Sequence, residues 1–133
     1  MTCCDNKKKT ISTDKAPKAL GPYSVAVTTG TMVFTAGQVG IDPATGKIVE
    51  GGIQAQTKQA LTNVRTVLEA AGSSMDQVVK TTVFLFDMVE FSLMNEVYAT
   101  FFTSDFPARS AVQVAALPAG AAVEIEAIAL LPC

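Results

Sequence analysis

The spacing of apolar residues along the chain predicts two helices. Apolar residues recur every three or four positions over residues 60–71 and form one helix face, and Gly72 suits the end of that helix. A second helix is expected after Asp87, a candidate N-cap, and residues 106–107 (Phe-Pro) should stop it. The apolar side of this second helix comprises Phe91, Met94, Tyr98 and Phe101.

Alternating and β-branched runs predict the strands. Residues 24–28 and 31–35, separated by Thr29-Gly30, favour a hairpin. Short strands around residues 39–41 and 47–49 are expected to flank a tight turn. Longer strands are predicted over residues 78–86, 109–116 and 123–131, the last with Glu124 and Glu126 opposite Val123, Ile125 and Ala127.

The order of these elements predicts an α+β fold, a mixed sheet with both helices covering one face. The chain of 133 residues is expected to form a single domain over residues 1–133, with the polar residues 1–15 as a loose arm. Only 17% of the residues are charged, below the usual ~25%. We therefore expect the second sheet face to pack against further copies of the chain.

Charge and composition argue against several classes of function. The formal net charge is −2, and the basic run at residues 7–9 is not interleaved with aromatic residues, so a nucleic-acid partner is not expected. No apolar stretch approaches the ~20 residues of a membrane span, and residues 1–6 lack an apolar signal core. A cytoplasmic location is the default expectation.

The chain contains no histidine, which removes histidine-based nucleophile pairs, general bases and metal ligands. Its three cysteines, Cys3, Cys4 and Cys133, have no zinc-site spacing and are interpreted as tail thiols. No metal and no cofactor are therefore expected.

The most unusual stretch is residues 106–110, where Arg109 opens an otherwise almost apolar strand. A guanidinium in such a strand needs a partner, because an unpaired buried charge is costly. A ligand carboxylate would suit it, through two parallel hydrogen bonds. A salt bridge to Glu124 or Glu126 is the other interpretation, and the pattern alone slightly favours it. A carboxylate of this pair could also position a water. The other interpretation is that both glutamates face solvent on an exposed sheet face, and for Glu126 this interpretation is favoured.

Three weaker candidates complete the set. Tyr23 follows Gly-Pro and could cover a small pocket, although half-buried packing is commoner. Gly37 could let backbone N–H groups meet an anion. Asn95 is unfavourable in mid-helix, which hints at a role, but a surface position would explain it equally well.

Five segments occur in this order along the chain: Gly21-Pro22-Tyr23-Ser24, Thr35-Ala36-Gly37-Gln38, Val79-Lys80-Thr81-Thr82-Val83, Phe106-Pro107-Ala108-Arg109-Ser110 and Val123-Glu124-Ile125-Glu126-Ala127. Together they closely resemble the RidA/YjgF family of reactive-intermediate deaminases, and the similarity runs over residues 10–130. The resemblance implies a chorismate-mutase-like α+β fold, a homotrimer with sites between subunits, and hydrolysis of enamine and imine intermediates such as 2-aminoacrylate and 2-aminocrotonate.

The resemblance also implies roles for individual residues. The family's carboxylate-binding arginine falls on Arg109 and its water-associated glutamate on Glu124. Its pocket tyrosine, its ligand-side glycine and its helix asparagine fall on Tyr23, Gly37 and Asn95.

Two further pocket positions depart from many active members. Ala36 stands where many have serine, and Ala111 where many have cysteine. The loss of the hydroxyl at Ala36 removes a possible hydrogen bond to substrate or water.

The resulting hypothesis is a deaminase in which Arg109 holds the carboxylate of a 2-imino acid and a water near Glu124 attacks C2. Two rival hypotheses stay open. One is a non-catalytic trimer that binds small 2-oxo acids, mildly favoured by Ala36. The other is an RNA-directed ribonuclease or translation inhibitor, which the acidic pI and absent histidine disfavour. A chorismate mutase, suggested by fold analogy alone, is a distant further possibility.

Overall fold

A computed structural model of the chain describes residues 6–132. Cys3, Cys4 and Cys133 therefore lie outside the described residues. The elements within residues 6–132 are β1 Lys9–Ile11, β2 Ala26–Thr28, β3 Met32–Thr35, β4 Gln38–Val39, β5 Ile41–Asp42, β6 Lys47–Ile48, α1 Gly52–Ala70, β7 Val78–Leu85, α2 Phe91–Phe101, β8 Ala108–Gln113 and β9 Val123–Leu130.

The main sheet has the strand order β1-β2-β3-β9-β7-β8, and β4 pairs with β9 beyond the end of β3. All neighbours are antiparallel except β7 and β8, which are parallel because α2 carries the chain back between them. Strands β5 and β6 form a separate small hairpin. The predicted mixed sheet and the hairpin of β2 and β3 are both confirmed.

Both helices cover one face of this sheet, as predicted. Along β9, Val123, Ile125, Ala127 and Ala129 are all buried against the core, while the residues between them are partly exposed. Helix α1 contributes a buried stripe to the same core and ends in a Schellman motif, in which Ser73 N–H bonds to Leu68 O and Gly72 has φ 92°. The buried residues of α1 are Ile53, Thr57, Ala60, Leu61, Asn63, Val64, Val67 and Leu68.

The opposite face of the sheet, here called the open face, carries the carboxylates of Glu124 and Glu126 and several large apolar side chains. Phe34 on β3, Leu130 on β9 and Val112 on β8 are each at least 40% exposed there. Exposed apolar surface of this kind marks contact surfaces in many proteins.

The expected loose arm is wrong for part of residues 1–15. Lys9–Ile11 form an edge strand on β2, because Ile11 packs against the core and the three residues complete a backbone ladder. Exposed lysines on such an edge discourage further strand pairing.

Three predicted boundaries also differ. Gly40 divides the strand expected at residues 39–41, since it bends the chain against α1: a Cβ at Gly40 would lie 2.8 Å from Gln56 Cα. Helix α2 ends at Phe101, before the Phe-Pro pair, and Asp105 in the connection has φ 47°. Strand β8 ends at Gln113 rather than at residue 116.

Within residues 6–132, no helix combines the length and the apolar character needed to cross a lipid bilayer.

Candidate functional site

Arg109 lies near the start of the edge strand β8 and points to the helix-covered face of the sheet. It is in register with Thr81 of β7, which is fully buried on that face. One terminal nitrogen of its guanidinium, Nη1, donates a hydrogen bond of 2.6 Å to Oδ1 of Asn95 on α2. Its side-chain partner is thus a neutral amide, which leaves the positive charge without compensation from this contact.

One stripe of α2 forms a cradle for this guanidinium. Phe91, Asn95 and Tyr98 are spaced four and three residues apart, so they share a helix face. The guanidinium carbon lies 5.3 Å from the ring centroid of Phe91 and 4.7 Å from that of Tyr98. These are cation–π distances. Sequence reasoning assigned Phe91 and Tyr98 only to packing; their spacing around Asn95 was the available signal.

Contacts with Thr81 and Phe102 fix the position of Tyr98. Its hydroxyl shares a 2.7 Å hydrogen bond with Thr81 Oγ1, and its ring lies 4.8 Å from that of Phe102. Burial raises the pKa of the Tyr98 phenol, so this group is a fixed neutral contact under Arg109.

Arg109 borders two cavities of the chain. One, of about 410 Å³, is lined by Asn95, Tyr98, Ala99, Phe106 and Pro107; the other, of about 580 Å³, is lined by Met88, Phe91, Ser92 and Ala111. A guanidinium has five N–H donors in a planar fork. Its position between two cavities, with an amide as partner, suits it to a small carboxylate ligand.

The salt bridge from Arg109 to Glu124 or Glu126, which the pattern favoured, is wrong within one chain. Strand β7 separates β8 from β9. Glu124 and Glu126 are in register with Phe84 and Thr82, which alternate with the buried residues of β7 and so lie on the open face. The local pattern could not reveal this strand order, which depends on long-range pairing.

Glu124 lies directly over Gly37 on the open face. A Cβ at Gly37 would stand 2.7 Å from the carboxyl carbon of Glu124, closer than any real contact, so the carboxylate occupies the space that a side chain would need. Burial raises the pKa of Glu124, and the like charge of Glu126 raises it further. Such a carboxyl is better suited to proton transfer near neutral pH than an ordinary glutamate.

Ala36 and Tyr23 belong to the same corner of the sheet by chain register. Ala36 N–H donates to Val25 O, which extends the β2–β3 pairing, and Tyr23 precedes Val25 by two residues. The Tyr23 hydroxyl accepts a 3.3 Å hydrogen bond from Leu20 N, and the side chain is 53% exposed. The phenol is therefore fixed at one end but open to a partner.

Apart from Tyr23, the predicted site residues thus fall into two groups. The arginine cluster consists of Arg109, Asn95 and Ala111 on the helix-covered face of the edge strand. The glutamate cluster consists of Glu124 and Gly37 near the open face, with Ala36 next to Gly37 in the chain. Tyr23 belongs to neither group and borders a separate cavity together with Thr10, Ile11 and Lys18. One chain does not bring the two clusters together. Among the described residues, no group of three or more His, Cys, Asp or Glu is placed to hold a metal ion.

Comparison with known proteins places the chain in a family. A family model described as endoribonuclease L-PSP matches residues 13–131. The chain belongs to the RidA/YjgF family. The match covers every strand and helix from β2 to β9, so both clusters lie within the family domain.

Similar RidA/YjgF proteins include both curated relatives and solved structures. A protein of Mus musculus named 2-iminobutanoate/2-iminopropanoate deaminase is 54% identical over 123 residues, which are 92% of this chain and 91% of that protein. RidA from the Antarctic bacterium Psychrobacter sp. PAMC 21119 has a TM-score of 0.89 at 48% identity, covering 92% of this chain and 99% of that chain. E. coli TdcF with bound serine has a TM-score of 0.89 at 45% identity, covering 93% and 99%.

Proposed function

We propose that this chain is a deaminase that hydrolyses 2-imino acids to 2-oxo acids and ammonia. Relatives from Mus musculus, Bos taurus and Homo sapiens, 50% to 54% identical over 123 residues, carry that activity in their names. The observation that carries the proposal is the guanidinium of Arg109, which borders two cavities and is held by a neutral amide and two aromatic rings. Substrates of the expected class are the tautomers of 2-aminoacrylate and 2-aminocrotonate.

Arg109 binds the substrate carboxylate in this proposal. The amide of Asn95 and the rings of Phe91 and Tyr98 fix the guanidinium before substrate arrives, so little side-chain freedom is lost on binding. The bidentate grip then orients C2 of the imine for attack. Serine, bound in the E. coli TdcF structure, carries the same α-carboxylate head group, which supports this class of ligand.

Glu124 activates the water. It accepts a proton from the attacking water as the new C2–O bond forms and the C=N double bond becomes a single bond. It returns that proton to the nitrogen, which gives a carbinolamine with an OH and an NH2 group on C2. The hydroxyl proton then passes to this nitrogen through Glu124, and ammonia leaves with the C–N electron pair as the C2=O double bond of the 2-oxo acid forms. The imine is already electrophilic, so placement of the reactants is the main contribution required of the protein.

Assembly into a homotrimer brings the two clusters together in this proposal. Because the clusters lie on different faces of one chain, a site that uses both must take them from two copies. The exposed apolar residues of the open face, Phe34, Val112 and Leu130, supply a surface for that contact.

Two rival functions predict different experimental outcomes. A non-catalytic 2-oxo-acid-binding trimer, mildly favoured by Ala36, would bind 2-oxobutyrate without accelerating imine hydrolysis. An RNA-directed activity, which the description of the family model names, would require salt-sensitive RNA binding by a clean preparation.

The deciding experiment generates 2-iminobutyrate with a dehydratase and follows release of 2-oxobutyrate. We expect the wild type to accelerate release and Arg109→Ala to lose about a hundredfold or more in kcat/KM, because carboxylate orientation is lost. Arg109→Lys is the matched control for charge: it keeps the cation but not the planar fork, so it should recover only a small part of the activity. Full activity in Arg109→Ala would refute the proposal.

A further inference from the structure

Asn63 is a fully buried amide on the core face of α1, only 1% exposed. Its Nδ2 donates to two backbone carbonyls, Val39 O at 3.1 Å and Ile41 O at 2.9 Å. Its Oδ1 accepts a 2.9 Å hydrogen bond from Gln59 Nε2. Both N–H groups of the amide are therefore used to tie the helix to the chain on either side of Gly40.

Gln56, seven residues earlier on the same helix, makes a second tie. Its Oε1 accepts a 2.8 Å hydrogen bond from Ala122 N, the residue before β9. The helix also touches the β4–β5 segment directly here, because a Cβ at Gly40 would lie 2.8 Å from both Cα and O of Gln56. Two polar side chains of α1 thus bind the two backbone segments that flank the glutamate cluster.

These two backbone segments lead into Gly37 and Glu124, which contact each other in the glutamate cluster. Val39 is in register with Glu124, Gly37 precedes Val39 by two residues, and Glu124 follows Ala122 by two. The clearance between Gly37 and the carboxyl of Glu124 leaves no room for a Cβ, so a shift of β4 along β9 would change that contact at once. Strand β4 has only two residues, and its own ladder does little to fix its place.

We propose that Gln56 and Asn63 are positioning residues of the reaction: through Ala122, Val39 and Ile41 they hold the Glu124 carboxylate over Gly37. The inference rests on the proposed deaminase function. Neither side chain belongs to the arginine cluster, so carboxylate binding at Arg109 is separate from the step they control. Their loss should lower kcat and leave KM nearly unchanged.

Thr57 on the same helix supplies a matched control. It is also fully buried, but its hydroxyl donates to Ile53 O of its own helix at 2.8 Å. Thr57→Val removes a buried hydrogen bond within α1 and breaks none of the hydrogen bonds that join α1 to β4, β5 or the start of β9. Any effect that follows merely from destabilising α1 should appear in this variant as well.

The experiment measures kcat and KM for 2-iminobutyrate hydrolysis in the wild type, Gln56→Met, Gln56→Glu, Asn63→Leu and Thr57→Val. Met keeps the length of Gln56 without its acceptor oxygen, whereas Glu keeps an acceptor there. Hydrogen exchange of the peptide that contains residues 37–41 reports directly whether β4 has loosened.

We expect Gln56→Met to lower kcat roughly tenfold with KM within about twofold, since small displacements of reacting groups are costly. Gln56→Glu should restore kcat to within about threefold of wild type, and Thr57→Val should keep it despite a lower Tm. Asn63→Leu should lose more activity than Gln56→Met and should show faster exchange over residues 37–41.

If Asn63→Leu fails to fold, Gln56→Met and Gln56→Glu still test the positioning role. Gln56 is partly exposed, so its replacement is milder. Wild-type kcat in Gln56→Met, or an equal loss of kcat in Thr57→Val, overturns the positioning role. A wild type that does not accelerate hydrolysis would instead overturn the deaminase function, so the two failures are distinguishable.

Discussion

Glu124 and Glu126 show how much one residue's surroundings matter. They share a strand and a face, yet the three atoms nearest to a Cβ built on Gly37 all belong to Glu124. Desolvation there raises the pKa of Glu124, and the charge of Glu126 adds to the shift. The carboxylate form, which accepts a proton from water, is therefore lost at a higher pH than for an ordinary glutamate.

The first prediction concerns this pH dependence. The rate should fall as the pH drops through the raised pKa of Glu124. Glu126→Gln removes the like charge, so the pKa of Glu124 should fall and the acid limb of kcat/KM should move to lower pH. Glu69→Gln, an equal change of charge on the exposed side of α1, should leave the limb in place. If Glu126→Gln leaves the acid limb of the kcat/KM profile where it is in the wild type, that limb does not report the titration of Glu124.

At the scale of whole elements, α2 acts as the support for Arg109. Phe91, Asn95 and Tyr98 reach the guanidinium from one stripe, while Met94 between them fills the core. The helix therefore divides its residues between packing the core and fixing the position of the Arg109 guanidinium.

The second prediction separates the ring of Tyr98 from its hydroxyl. Tyr98→Phe keeps the ring under Arg109 and loses the bond to Thr81, so it should cost about 1 kcal/mol in free energy of unfolding with KM nearly unchanged. Tyr98→Leu loses the cation–π contact as well and should raise KM about fivefold. Calorimetry of unfolding and steady-state kinetics on both variants would check this, and an equal KM in the two would contradict it.

The sequence predicted which segments form helices and strands better than it predicted which of these elements lie next to one another. The three- and four-residue period of α1 and the alternation of β9 are local properties, and both elements form as predicted. The partner of Arg109 depends on β7 lying between β8 and β9, which no local pattern contains. Gln56 and Asn63 were missed for a related reason: their ties reach residues 22 to 66 positions away along the chain.

At the scale of the whole molecule, the decisive fact is that the two clusters occupy different faces of the sheet. Arg109 is in register with the buried Thr81, whereas Glu124 is in register with Phe84 on the open face. A single chain therefore carries both clusters without joining them. If the reaction needs both halves, the functional unit is an assembly in which one copy offers its arginine cluster to the glutamate cluster of the next.

The last prediction tests this arrangement by mixing two inactive variants. Arg109→Ala keeps the glutamate cluster, and Glu124→Gln keeps the arginine cluster. In a cyclic trimer with three equivalent contacts, every mixed trimer contains one contact at which both clusters are intact. Equal mixing with random reassembly should therefore restore roughly a quarter of wild-type activity.

A site contained within one chain would recover nothing, because each chain would still carry one defective half. Co-refolding from denaturant followed by the coupled assay distinguishes the two, with each variant refolded alone as the baseline. Recovery in the mixture without recovery in either parent would mean that the catalytic site is shared between copies.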